Sequence, residues 1–200
     1  ARMAADAVTA SRHAQEQKAL ADLSRFAVVA ELSELLTAAT ATAATLMGVG
    51  NSAIAHLENS TDPYLTMDAA SGSLGIRRDV PSGDGSMTGY ALAHEQPVIC
   101  SNRGDESRFR TDTMAELGLR SGVAVPIMTA VGDAWGVLSI HSVEARLYRE
   151  QEVSFLSSVA GIVSAALRRM ELESQLRRRS THDALTGLPN RTFAYDVLDT

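Results

Sequence analysis

The chain begins with a long segment whose apolar residues recur at helical spacing. Within residues 11–47, apolar side chains return every three or four positions, and charged side chains lie off their stripe. The stripe consists of Leu20, Leu23, Ala27 and Ala30. Two glycines, at positions 48 and 50, end this helical region.

The middle of the chain alternates short apolar runs with turn residues, which predicts strands. "SAIAHLEN" and "PYLTMDAASG" form one predicted hairpin, and "GVAVPIMTA" and "AWGVLSIHS" form another with Gly132 and Asp133 in its turn. Between the hairpins, "TGYALAHE" predicts a short helix, "PVIC" a strand, and "TDTMAELG" one or two helical turns in a covering loop. The central sheet is therefore expected to be antiparallel, at least in part.

From Tyr148 onward the pattern is helical again for about thirty residues. Its apolar positions alternate steps of three and four, which is typical of a helix that packs on another helix over several turns. They are Leu156, Val159, Val163, Ala166 and Met170. After Met170 the stripe shifts to Leu172 and Leu176, as at a coiled-coil stutter. We expect an α+β fold in which these two helical seams form a parallel bundle across a homodimer.

Composition narrows the class of protein. The chain has 200 residues, 45% of them hydrophobic, a net charge of -6 and one cysteine. The acidic balance argues against nucleic-acid binding, and one cysteine excludes an intramolecular disulfide, which fits a reducing cytoplasm. The apolar runs are too short and interrupted to predict a membrane span. No two of the five histidines have paired helical spacing, so no metal site is expected.

Four blocks in order carry a family resemblance: "GSMTGYALAHEQPVICSN", "LGLRSGVAVPI", "AWGVLSIHS" and "LYREQEVSFLSSVAGIVSAAL". With them, residues 20–170 resemble a GAF domain, which implies a central antiparallel sheet flanked by helices. The resemblance also implies a small-molecule site between the sheet and the covering segment, about residues 86–120. The candidate ligand-binding residues there are Tyr90, Cys100, Asn102, Phe109 and Thr113. Core packing and loop capping are the alternative roles for the same side chains.

Two known ligand classes of GAF domains can be compared with this sequence. A haem-binding GAF domain would need a histidine, and His141 is a further candidate because it shares one strand face with Val137 and Ser139. A satisfied, half-buried histidine is the alternative.

The cyclic-nucleotide-binding members carry an Asn-Lys pair, a Phe and an Asp-Glu pair. This chain offers Asn102, Arg103 and Phe109, but Asp112 comes one position early and Thr113 replaces the second acid. The pattern is therefore only partly present.

A second resemblance lies near the end of the sequence. "DALTGLPNR" is similar to the DxLTGLxNR motif that opens GGDEF domains, the diguanylate cyclases that join two GTP molecules into cyclic di-GMP. The matching positions are Asp183, Leu185, Thr186, Gly187, Leu188, Asn190 and Arg191. The expected organisation is a helical extension (1–19), a GAF domain (20–170), a signalling linker (171–182) and the start of a cyclase (183–200). These residues lack the cyclase active site, so they are not expected to be an enzyme, whereas an intact protein would be.

The expected function is sensing of a small-molecule effector by a cytoplasmic GAF domain that controls a diguanylate cyclase through homodimer helix geometry. No contact with nucleic acid or membrane is expected. The competing hypothesis is a ligand-free GAF domain that serves as a dimerisation or docking scaffold. A third class, the GAF enzymes that reduce free methionine sulfoxide, needs a second thiol to close its catalytic disulfide.

Overall fold

The computed structural model describes residues 2–59, 61–77 and 79–181, with side chains described for 10–59, 61–77 and 79–176. The helices within these ranges are α1 (Arg2–Val29), α2 (Leu32–Met47), α3 (Met87–His94), α4 (Asp112–Glu116) and α5 (Glu150–Thr181). The strands are β1 (Asn51–His56), β2 (Tyr64–Ser71), β3 (Val80–Pro81), β4 (Val98–Cys100), β5 (Ser121–Met128) and β6 (Ala134–Ser142). The predicted start of a cyclase, 183–200, lies outside the described residues.

The strands form one antiparallel sheet in the order β3-β2-β1-β6-β5-β4. Both predicted hairpins are confirmed, as β1 with β2 and β5 with β6. β6 also pairs with β1 along its length, and this pairing joins the two hairpins. The α+β class and the antiparallel sheet are therefore confirmed. β3 was not predicted from the sequence, because two residues are too few to show a period.

The N-terminal helical region is two helices rather than one. Glu31 lies between them and caps the start of the second: its backbone N–H donates to Glu34 Oε2 at 3.1 Å, and its own carboxylate accepts from the backbone of Glu34. This reciprocal capping box satisfies two N–H groups that a helix start would leave unpaired. At the other end of α2, Gly48 takes a φ of 60° and closes the helix.

The helices α1, α2 and α5 pack together on one face of the sheet. α1 and α5 run parallel, since Arg12 contacts Glu152 near the start of α5 and Arg169 donates to the Ala27 carbonyl near the end of α1. The core on this face includes the buried residues Leu23, Ala27, Ile54, Val125, Leu138, Leu156, Val159, Val163 and Ala166.

This packing corrects the predicted intermolecular seam. Leu156, Val159 and Val163 have no exposed surface, and Ala166 is also buried. On α1, Leu23 and Ala27 are buried in the same core, and Leu20 packs against it. These side chains already fill the interior of one chain, so they cannot form a seam with a second copy. Met170 is half-buried.

One helix in the described part of the chain, α5 over Glu150–Leu176, is long and apolar enough by composition to cross a membrane, because an 18-residue window within it has a mean hydropathy of 1.2. Its apolar face, however, packs in the core against the sheet. That packing accounts for its apolar composition.

Truncating this face should destabilise the single chain. We expect Leu156→Ala to lower the free energy of unfolding by about 2–5 kcal/mol, because it leaves a cavity in a filled core. Urea denaturation followed by circular dichroism measures the change. The control is Leu176→Ala on the same helix, where the side chain is 65% exposed and the expected change is within about 0.5 kcal/mol. Equal effects of the two substitutions would contradict the intrachain packing.

Candidate functional site

A cavity lies on the opposite face of the sheet, beneath α3 and α4. The segment between β2 and β3 closes it from the side. Its apolar lining consists of Met67, Leu74, Val80, Met87, Met114, Leu117 and Leu119, and its polar lining of Arg77, Ser86, Thr88, Thr113, Ser139 and His141. This is an apolar chamber with a few polar groups, the usual composition of a small-molecule site.

The cavity is small, with a volume of about 40 Å³. That is room for about three to four water molecules, since each needs roughly 10–15 Å³ of such space. Sites for drug-sized ligands are roughly 300–1,000 Å³. The cavity as it stands therefore fits neither a nucleotide nor a haem.

The α3 wall of the cavity is set by the glycine-rich segment before it. Ser86 caps α3 by accepting the Gly89 N–H at 3.0 Å, and its hydroxyl donates to the Pro81 carbonyl at 2.6 Å. A Cβ on Gly89 would lie 2.6 Å from the same carbonyl oxygen, so only glycine permits this approach. The segment "GDGSMTG" thus makes a turn that brings the start of α3 close to Pro81.

His141 is the most unusual polar group in the lining. The residue is 7% exposed, and its Nε2 lies 3.1 Å from Ser139 Oγ. Its Nδ1 has no hydrogen-bond partner among the described residues. Burial lowers the pKa of the imidazole to about 4, so His141 is neutral at physiological pH.

Arg77 supplies the charge in the lining. Its guanidinium binds the Asp79 carboxylate through two contacts of 2.8 Å. The hydrogen bonds with Asp79 raise the pKa of Arg77 and lower the pKa of Asp79. The negative charge of Glu116 also acts on Arg77. The cation at the wall is thus already matched by the protein's own carboxylates.

Two of the sequence candidates, Thr113 and His141, come together in the cavity lining. The remaining ones lie elsewhere. Cys100 is buried in the core, where desolvation raises the pKa of its thiol to about 11. Tyr90 stacks on His94 with ring centroids 3.9 Å apart and contacts Phe109, which is buried in that core. Packing, the alternative role given to these side chains, is what their contacts show.

Asn102 is a capping residue in the described structure. Its side-chain oxygen accepts from the Gly104 N–H, and its amide donates to Asp105 Oδ2 at 2.8 Å. With Arg103 it lines an open groove that also includes Thr111 and Arg120, apart from the cavity. The partial cyclic-nucleotide pattern is therefore not assembled around the cavity.

The sequence analysis missed most of the lining. Ser139 had been placed on the same strand face as His141, and this alternation was the signal that could have added it. The three methionines and Leu74 carry no such signal, because they come from different strands, helices and loops and converge only in the fold.

A second polar cluster joins the helices on the other face, at the start of α5. The buried Glu152 accepts from the Arg149 N–H at 2.9 Å, from Arg12 at 3.3 Å and from Arg146. Burial alone would raise the pKa of Glu152, but these hydrogen bonds and the charge of Arg146 hold it below its usual value. Arg146 also donates to the Met47 carbonyl at 2.7 Å, so this cluster connects α1, α2 and α5.

Within the described ranges, no group of three or more histidine, cysteine or acidic residues is arranged to hold a metal ion.

The fold and the position of this cavity define a class of sensor domain. Residues 29–168 match the family model for the GAF domain, and the chain therefore belongs to the GAF domain family.

One of the curated proteins to which this chain is similar is an enzyme. The diguanylate cyclase DgcP of Escherichia coli (strain K12) is 29% identical over 119 residues, which cover 51% of this chain and 35% of DgcP. The chain thus spans about a third of the length of that relative.

Solved structures with the same fold include proteins that bind different ligands. Free methionine-R-sulfoxide reductase from Neisseria meningitidis, in complex with its substrate, superimposes with a TM-score of 0.67 at 19% identity, covering 79% of this chain and 92% of that one. The phycocyanobilin-bound GAF domain of a cyanobacterial phytochrome gives a TM-score of 0.65 at 19% identity, covering 79% and 96%. At these identities the likeness shows the fold alone.

The buried histidine should make stability depend on pH. The unfolded chain binds a proton on His141 below about pH 6.5, whereas the folded chain does so only near pH 4, so stability is lost as pH falls between these values. We expect this one group to account for a loss of about 3 kcal/mol across that window. Urea denaturation at several pH values measures it as the difference between the unmodified protein and His141→Phe.

The matched control is His13→Phe, because His13 is exposed on α1. It should keep the pH dependence of the unmodified protein. An unchanged pH profile in His141→Phe would contradict the buried, neutral state of His141.

Proposed function

We propose that this GAF domain is the regulatory part of a diguanylate cyclase and that a small molecule in the cavity controls cyclic di-GMP formation. The observation that carries the proposal is the continuity of α5. This helix starts in the core of the sensor and runs without interruption to Thr181, two residues before the GGDEF-like motif at 183–191. The similarity to DgcP supports the same function.

The connection from the cavity through β5 and β6 to the segment before α5 supports a route for control. His141 and Ser139 lie on β6, and the chain passes from β6 through residues 143–149 into α5. Ser121, at the start of the adjacent β5, donates to the Glu144 carbonyl at 2.7 Å and lies 3.1 Å from the Tyr148 hydroxyl. A ligand that moves β5 against β6 would therefore act on the start of α5. To shift the population appreciably, it must prefer one arrangement by a few kcal/mol.

The proposed signalling unit is a homodimer, because the GGDEF reaction joins two GTP molecules and each cyclase domain brings one. The buried seam of α1 and α5 is not available for this contact. The exposed apolar side chains of the two helices are available, namely Phe26, Val28 and Val29 on α1 and Leu172 and Leu176 on α5. We place the dimer contact on these residues, and the protein in the cytoplasm, where GTP is found.

The second candidate function is a scaffold that binds no small molecule. The observation that favours it is the small volume of the cavity, about 40 Å³, beneath an otherwise filled core. A scaffold would still dimerise and would still position two cyclase domains. Only a response to a ligand distinguishes the sensor from it.

Reductase chemistry is not proposed for this chain. The one cysteine is buried and its pKa is raised to about 11, so at physiological pH it is a thiol rather than the thiolate that such chemistry requires.

The dimer contact can be tested by charge substitution on α5. We expect the 200-residue chain to be a dimer by multi-angle light scattering and the double variant Leu172→Glu and Leu176→Glu to be a monomer with an unchanged thermal midpoint. The two side chains are 59% and 65% exposed, so the substitutions do not disturb the core. The control Leu147→Glu, at a position 85% exposed before α5, should remain a dimer. A monomeric unmodified chain at high concentration would contradict the proposal.

The link to cyclic di-GMP can be tested on the complete gene product. We expect it to convert GTP to cyclic di-GMP, and we expect a four-residue insertion after Leu172 to change the rate because it rotates everything that follows in the helix. A seven-residue insertion at the same place keeps the helical phase of a coiled coil and is the matched control. Control through α5 would be refuted if the gene product formed no cyclic di-GMP, or if neither insertion changed the rate of cyclic di-GMP formation.

A further inference from the structure

The buried acceptor in the cavity can be assigned from the hydrogen bonds around it. The Ser139 hydroxyl has one hydrogen, and the Ala53 carbonyl lies within hydrogen-bond distance of its oxygen at 3.4 Å. If that hydrogen goes to Ala53, Ser139 Oγ accepts the proton of His141 Nε2 at 3.1 Å. In that arrangement the imidazole proton is on Nε2. The lone pair of Nδ1 then accepts no hydrogen bond from any of the described residues.

The space beside Nδ1 is narrow, and a glycine on the neighbouring strand borders it. Gly122 lies opposite His141 in the sheet register. A Cβ at that position would lie 3.0 Å from Nδ1 and 2.9 Å from the Met87 methyl carbon, which belongs to the cavity lining. A side chain at 122 would thus crowd Nδ1, and a ligand group can reach this acceptor only where the flexible Met87 methyl group moves aside. Leaving such an acceptor unsatisfied costs free energy, which a ligand that donates a hydrogen bond would recover.

The charge of the lining favours an uncharged ligand. His141 is neutral, and the cation of Arg77 is already bound at 2.8 Å by both oxygens of Asp79. Glu116 adds a further negative charge near Arg77. Among the described residues of the lining, a buried anion would find no unmatched cation, and a buried cation would find no unmatched anion beside Nδ1. Either would lose its hydration without a compensating ion pair.

The size and the walls of the cavity limit the ligand further. The volume of about 40 Å³ allows only a compact molecule. Three of the wall residues, Met67, Met87 and Met114, are unbranched and flexible, so the cavity can adapt to a small ring.

We propose that the cavity binds a compact, uncharged molecule that donates a hydrogen bond to Nδ1 of His141. This rests on the proposed role of the cavity as the sensory site. It adds the chemical class of the effector: a small neutral N–H or O–H donor with an otherwise apolar surface.

The test compares two probes of the same shape, pyrrole and furan. Both are uncharged five-membered rings, but only pyrrole carries an N–H donor. The 200-residue chain is labelled with ¹³C at its methionine methyl groups. Met67, Met87 and Met114 report on the cavity, and Met47 in the other core is an internal reference.

We expect pyrrole to shift the three cavity methyl resonances saturably, with a Kd at least about tenfold lower than that of furan, because a site with an unpaired polar group discriminates against a ligand that cannot satisfy it. The ¹⁵N resonance of His141 Nδ1 should move in the direction of an accepted hydrogen bond. Pyrrole-2-carboxylate, which adds a negative charge, should bind more weakly than pyrrole.

The matched variants are His141→Phe and His94→Phe. His141→Phe should abolish the preference for pyrrole over furan, whereas His94→Phe should keep it, because His94 does not line the cavity. The Met47 resonance shows whether each variant is folded. If His141→Phe does not fold, the comparison of pyrrole with furan in the unmodified protein still decides.

Three results would overturn the inference: equal or tighter binding of furan, no saturable shift of the three methyl resonances by pyrrole, or a proton on Nδ1 in the ¹⁵N spectrum. The readout involves neither the cyclase nor the dimer. Selective pyrrole binding with no effect on cyclic di-GMP formation would refute only the proposed function. Regulated cyclic di-GMP formation without selective pyrrole binding would refute only the ligand class.

Discussion

The pairing of β1 with β6 is the contact on which the rest of the fold depends. Each strand belongs to a separate hairpin, and six matched residue pairs from Asn51–His141 to His56–Gly136 join the hairpins into one sheet. The pairing also separates two interiors, because Ile54 and Leu138 face the helices while Ala53 and Val137 face the second core. It sets Ala53 near Ser139 and so fixes the hydrogen bonds on which the state of His141 depends.

The hairpins could be predicted because their signals are local. Gly132 and Asp133 stand between two β-branched runs, and such a turn needs no information from the rest of the chain. The break at Glu31 was also encoded locally, by two glutamates three residues apart, but it lay inside an unbroken apolar stripe. The periodicity of α5 correctly predicted a helix with one buried face. Periodicity cannot say whether that face meets the same chain or a second copy, and here Leu156 and Val163 meet the same chain.

The candidate site was predictable only in part, for a related reason. Thr113 could be named because the family resemblance implied a site at about residues 86–120, and His141 because it shares a strand face with Ser139. Cys100 and Phe109 were chosen by the same reasoning and are packing residues, since a sequence does not show which side of a short strand or loop meets a void. Nδ1 lacks a hydrogen-bond partner because no donor among the described residues lies within reach of it, and a sequence does not show such distances. This lack of a partner depends on a serine two residues away on the strand and on a glycine on the next strand.

The parallel contact of α1 with α5 has a mechanical consequence. Arg12 contacts Glu152 at one end of the pair, and Arg169 donates to the Ala27 carbonyl at the other. The two helices are therefore held together at two points, with the sheet packed against their side. A rotation of α1 would therefore be transmitted to α5 through these direct contacts and would not need the sheet. Arg146 binds both Glu152 and the end of α2, and its backbone N–H donates to Ser101 beside β4. The sheet is thereby connected to the pair of helices α1 and α5, so a change in the sheet can alter how this pair moves.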